Sequence, residues 1–195
     1  MYQKFSKKHW DIFSLYIIPI STILFAGLDG WTSSNFSSIA YAKNKQIAFL
    51  FWGFLTAWYY NAYSRYLFRI VNFNGKLAIT FLWAATISLI FAITTPYMPE
   101  ALPQQAKLHF IFAFCSPLLL LCSIICFQIY LERINKARFK RARLELTIIV
   151  VVSVITLTLV GFVSSLLEIF VCISVCYYLR VTHKRIESEK IQAVS

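Results

Sequence analysis

Three carboxylates and one imidazole stand out from an otherwise apolar chain: Asp29, Glu100, His109 and Glu168. Each lies within about two helical turns of one end of an apolar run, so all four would share a layer at one surface of a helical bundle. Carboxylates with an imidazole can hold a divalent cation or divide acid and base work between them. No metal-ligand spacing links the four, and each has a plainer task available. Asp29 and Glu100 can hydrate helix ends, His109 can sit at an interface, and Glu168 completes the S-x-x-E pattern of a capping box in Ser165-Leu166-Leu167-Glu168. They form a candidate outer polar layer for which neither metal nor cofactor is expected.

The elements that must position them are set by composition. The chain has 195 residues, 59% hydrophobic and 14% charged, whereas a soluble domain carries roughly a quarter charged residues. This is the composition of a membrane protein. Apolar runs at about 12–28, 47–63, 77–97 and 108–131 are each long enough to cross ~30 Å of hydrocarbon as a helix. The last run, Leu146 to Leu179, contains one charge, Glu168. As a single helix it would be about 51 Å long at ~1.5 Å per residue, more than tilting absorbs. Gly161 can end one helix and the Ser165 capping pattern can start another, which predicts spans at 146–161 and 165–179. The fold expected is all-α: a single polytopic transmembrane bundle of six spans occupying residues 1–195.

Charge supplies the orientation. Of 19 Lys and Arg residues, all but Lys43, Lys45 and Lys107 fall on one side of a six-span arrangement, and basic residues in short loops are retained on the cytoplasmic side. Both termini are therefore expected in the cytoplasm, with the protein multi-pass in a cytoplasmic (inner) membrane. Five spans would export the basic tail after Leu179. The first run follows Lys4, Lys7 and Lys8 and has no clear small-x-small cleavage site, so it reads as a retained signal anchor. The net charge of +11 sits wholly on the cytoplasmic side of this arrangement. It is a topology signal, and nucleic acid is not an expected partner. The densest basic segment, Glu132 to Glu145, places Arg133, Lys136, Lys140 and Arg143 on one helical face, a candidate contact for anionic lipid.

Other features have structural explanations. Cys122 and Cys126, like Cys172 and Cys176, are four residues apart in the inner half of the spans. Neither a metal site nor an exported disulfide is expected from them. Trp58, Tyr59, Tyr60, Tyr63 and Tyr66 read as an interfacial aromatic belt. Asn35-Phe36-Ser37 matches a glycosylation acceptor placed too near a span for use. Pro19 and Pro117, each near the middle of the first helix of a three-span half, hint at an inverted repeat. A polar path through the bundle would have to run along Thr80, Thr86, Ser88, Thr156 and Thr158.

The segments "SSNFSSIA" (33–40), "FLFWGFLTAWYY" (49–60), "PYMPEALPQQAKLHFIFAF" (96–114) and "SSLLEIF" (164–170) together resemble small bacterial six-helix membrane proteins. Those in turn resemble the DRAM-like and related domain-of-unknown-function families. The resemblance covers nearly the whole chain and implies the six-helix topology, with Glu168 as the acidic residue opening the last helix; it implies no catalytic activity. The function expected is a non-enzymatic membrane module in contact with lipid or a membrane-protein partner. A small transporter or permease subunit is the first alternative, and an outer-leaflet enzyme using Glu168 and His109 the second.

Overall fold

The computed structural model describes residues 7–194, with side chains from 8 to 188. Lys4 and the side chains of Lys7, Glu189 and Lys190 lie outside the described residues. Every regular element among the described residues is helical. The first rod comprises α1 (Lys7–Ile12), a π-helical turn (Phe13–Ile17) and α2 (Ile18–Ala26). The wider turn has a local cause. Pro19 has no N–H to give the carbonyl four residues back, and the Ser14 hydroxyl bonds the Trp10 carbonyl at 2.7 Å, so the α-ladder is loosened there.

A short α3 (Phe36–Ala42) precedes α4 (Gln46–Ile70), α5 (Lys76–Thr94), α6 (Pro103–Ile134), α7 (Lys136–Val160) and α8 (Ser165–Val194). Asn35 caps α3: its side chain accepts from Ser38 N–H at 2.8 Å while Ser38 Oγ accepts from Asn35 N–H at 3.0 Å. The glycosylation-like triplet is thus the start of a helix that the sequence pattern did not suggest. Pro103 stands in the first turn of α6, where a missing N–H costs nothing.

The long final run does break. Gly161 adopts φ 80°, its N–H closing on Leu157 O at 2.8 Å, and α8 begins at Ser165. A left-handed residue costs glycine no Cβ clash, so the chain can turn back there. A second break is as short as it can be: Asn135 is extended (φ −150°, ψ 91°) and its side chain accepts from Arg138 N–H at 3.2 Å, capping α7. Arg133 therefore belongs to α6 and Lys136, Lys140 and Arg143 to α7. The single helical face expected for these four is interrupted, although all four are exposed.

Among the described residues, five helical segments are long and apolar enough to cross a membrane: Lys8–Ala26, Lys76–Thr94, Pro103–Ile134, Lys136–Val160 and Ser165–Ser188. At 25 residues α4 matches α7 in length, but Trp, Tyr and Asn side chains make it less apolar. The reason is its position. Tyr59, Tyr60, Asn61, Tyr63 and Ser64 are all buried against neighbouring helices, so the expected aromatic belt is mostly interior, with Trp58 exposed and Tyr66 half-buried. The outward surface is the apolar part: Leu24, Phe51, Leu77, Val154 and Leu159 are all exposed. A surface of that kind suits hydrocarbon rather than water.

Small residues and hydroxyls set the closest helix pair. Ser116 and Ser123 of α6 donate to Ala85 O and Ala78 O of α5, at 3.0 and 2.8 Å. Such bonds, made where Ala lets backbones approach, fasten helices that gain little from hydrophobic association in lipid. Gly53 does the same between α4 and α5, since a Cβ there would lie 2.6 Å from Ile93 Cγ2.

Candidate functional site

The layer of Asp29, Glu100, His109 and Glu168 divides in two. Asp29 and Glu100 are exposed, and Asp29 accepts from the adjacent Gly30 N–H at 2.9 Å. His109 and Glu168 turn inward and converge on the segment that leads into α3. No group of three or more metal-ligating side chains occurs among the described residues, so the four do not assemble as a cation site.

Glu168 caps a helix other than its own. Its Oε2 accepts from Phe36 N–H, the first amide of α3, at 2.8 Å. The capping box expected within α8 does not form: Ser165 Oγ donates to Ser34 O at 3.1 Å, and Ser164 Oγ accepts from Leu167 N–H at 3.4 Å. The opening amides of α8 are used in return. Ser165 N–H donates to Ser34 O at 2.7 Å and Leu166 N–H to Trp31 O at 2.8 Å. Two helix starts therefore satisfy each other's orphan backbone groups across the bundle.

His109 locks the other side of α3. Its Nδ1 is 3.0 Å from Thr95 O and its Nε2 is 2.5 Å from Ser37 Oγ. A carbonyl only accepts, so Nδ1 carries the hydrogen, and in the neutral ring Nε2 takes the Ser37 hydroxyl. Both residues are buried. Tyr97 packs its ring 5.2 Å from the imidazole. Nearby, burial raises the Tyr41 phenol above its ordinary pKa, opposed more weakly by a hydrogen bond with the Tyr97 backbone. Phe36, Ile39 and Ala40 anchor α3 among Phe25, Phe49, Ile93 and Ile169, and the Phe36 and Trp52 rings meet edge to face at 4.7 Å.

The sequence marks Ser37 as the third residue of the glycosylation-like triplet and gives no sign of a partnership with His109. An SxxxH-type signal could not reveal it, because His109 lies 72 positions away. What could have drawn attention is a polar, serine-rich stretch directly after an apolar span, since such a stretch must bury its backbone groups or leave the bundle.

A second polar system threads the helices from beside α3 toward the opposite, basic end. Trp52 Nε1 donates to Thr22 at 3.0 Å near α3, Tyr60 donates to Cys172 O at 2.6 Å, and the Ser14 and Tyr59 hydroxyls meet at 2.7 Å. Further along, Tyr63 Oη lies 3.0 Å from His183 Nδ1 and Tyr178 donates to Gln128 at 2.7 Å. Of the five residues expected to line a polar path, Thr86 alone bonds across helices among the described residues, accepting from the Asn61 amide at 2.9 Å. Thr156 and Thr158 bond back to their own helix at Val152 O and Val154 O, Thr86 to Leu82 O, and Thr80 is exposed. Cys172 and Cys176 are buried within this system and all five cysteines are free thiols.

At the basic end the helices are joined by ion pairs: Arg180 to Asp11 at 2.6 Å, Arg185 to both oxygens of Glu145 at 2.8 and 2.6 Å, and Arg143 to Glu132 at 3.3 Å.

Among the described residues the protein is all-helical, with five helices long and apolar enough to cross a membrane, and it has a buried polar latch at one end. Comparison with protein-family models, with curated proteins and with solved structures finds no match.

Proposed function

We propose that the chain is a six-span protein of the cytoplasmic membrane, α4 being the sixth span, with both termini in the cytoplasm. In this reading it is a non-enzymatic module that works through contacts with lipid and with other membrane proteins. The resemblance to small bacterial six-helix proteins and the DRAM-like families belongs to the same proposal. The observation that carries it is the use of its polar groups. His109, Glu168, Ser37 and the interior tyrosines are bonded to other parts of the same chain, which suits a scaffold. The exposed Arg133, Lys136, Lys140 and Arg143 then face the cytoplasmic surface, where each basic residue near anionic lipid contributes ~1 kcal/mol.

Topology reporters test the arrangement. Fusions after Lys107 and Ser165 should report an external location, and fusions after Arg138 and at Ser195 a cytoplasmic one. An external Ser195 would overturn the six-span reading.

A second reading has one observation in its favour. Ser37 Oγ at 2.5 Å from His109 Nε2, with Nδ1 held by Thr95 O, is the order of nucleophile, base and orienting group. An outer-leaflet enzyme would use that couple. Its mark would be loss of the deletion phenotype's rescue by both Ser37→Ala and His109→Gln while folded yield is retained. Rescue by either variant removes this reading.

A further inference from the structure

Between α4 and α5, beside Trp10, lies a groove of about 810 Å³, within the ~300–1,000 Å³ typical of ligand sites. It opens sideways on the lipid-facing surface: Phe54, Trp58 and Trp83 along it are 48%, 44% and 45% exposed. Its polarity is graded along the helices. Phe54 and Ile90 line the end nearer α3, Asn61 and Thr86 bond to each other at 2.9 Å in the middle, and Arg65 stands toward the basic end.

Arg65 is the unusual member. Its guanidinium lies 5.3 Å from the centroid of the Trp83 ring, and none of the ion pairs among the described residues involves it. A guanidinium beside hydrocarbon is costly, and an indole face offsets only part of that cost. A planar fork of donors already stacked on an aromatic ring matches the oxygens of a phosphate. The apolar end of the same groove matches an acyl chain.

We infer that this groove holds one anionic phospholipid, its phosphate on Arg65 and one acyl chain laid between α4 and α5 along Phe54 and Ile90. The lateral opening means that the ligand enters from the bilayer, and the position of Arg65 near the basic end assigns it to the leaflet on that side. The inference rests on the six-span reading only for naming that leaflet the cytoplasmic one. Reporter fusions test the leaflet's name, and lipid binding tests the groove, so the two can fail separately.

The full chain, reconstituted in phosphatidylcholine with a minor fraction of phosphatidylglycerol and then extracted, should retain one phosphatidylglycerol by native mass spectrometry. Arg65→Gln should lower that retention about tenfold, the worth of one charge-assisted contact. Ala62→Phe, which fills the groove and keeps the charge, should lower it as well. Lys107→Gln removes one exposed positive charge at the other end of the bundle and should leave this one tightly held lipid in place. Retention unchanged in a folded Arg65→Gln protein, or lowered as much by Lys107→Gln, overturns the groove as the site. Should the groove variants not fold, a diazirine-bearing phosphatidylglycerol on the unaltered chain decides. Labelling concentrated on Phe54 to Arg65 and Trp83 to Ile90 is expected, and labelling spread over the exposed face of α7 overturns the inference.

Discussion

The two ends of the bundle hold their helices together by different means. Around α3, side chains reach backbone: Glu168 to Phe36 N–H, His109 to Thr95 O, Ser165 to Ser34 O. At the basic end, charges on separate helices pair: Arg180 with Asp11, Arg185 with Glu145, Arg143 with Glu132. A buried bond to backbone is directional and shielded from ions, and losing one partner strands the other. Partly exposed ion pairs are screened by salt and can exchange partners. The α3 end is therefore a fixed latch, and the basic end is the part that surroundings can adjust.

Breaking the latch should cost most. His109→Leu strands both the Ser37 hydroxyl and Thr95 O, for a loss of about 2–4 kcal/mol, seen as lowered thermal unfolding temperature in detergent. Asparagine or glutamine can replace one of the two bonds, so His109→Gln should lose about half as much. Equal stability of the Leu variant and the natural chain would mean that α3 is held by its apolar contacts alone.

Glu168 comes next. Glu168→Leu leaves Phe36 N–H without an acceptor and should cost about 2 kcal/mol, while Glu168→Gln retains a carbonyl oxygen in the same place and should cost under ~1 kcal/mol. A Gln variant as damaged as the Leu variant would show that the carboxyl group itself matters, and would favour chemistry at this end.

The ion pairs provide the opposite signature. A double-mutant cycle on Arg180→Gln and Asp11→Asn should give a coupling of ~1 kcal/mol at low salt, shrinking in molar salt. The latch variants should show no such dependence. A coupling that salt does not touch would make the pair effectively buried and erase the contrast between the two ends.

How far these regions were legible in sequence follows from the same physics. The break at Gly161 was readable because length and glycine agreed. Helix extents were underestimated: α8 runs on from Leu179 into its charged tail, and α6 extends beyond 108–131 at both ends, because a hydrophobic run marks the hydrocarbon and not the helix. The latch was readable only in part. His109 and Glu168 stand out as ionisable groups in an apolar chain, but their partners are a serine hydroxyl and backbone atoms, and those have no pattern of their own. Tyr59, Tyr60 and Tyr63 were misplaced for a related reason: an aromatic cluster near a span end suits an interface and a buried hydroxyl network equally, and only packing distinguishes them.

The smallest effect belongs to Asp29 and Glu100, and it sharpens the division within the polar layer itself. Both are exposed, and Asp29 bonds its own turn through Gly30 N–H. Asp29→Asn keeps an acceptor for that amide, and Glu100→Gln removes a charge from a solvated turn, so each should shift stability by no more than ~0.5 kcal/mol. Their charge is the only thing changed, which makes them a direct test for a cation shared with Glu168. Unfolding measured with and without millimolar divalent cation should give the same temperature for the natural chain and for both variants. A stabilisation of the natural chain by the cation that disappears in Asp29→Asn would draw the exposed pair back toward Glu168, and the outer layer would then be one site where the geometry here separates a latch from two solvated carboxylates.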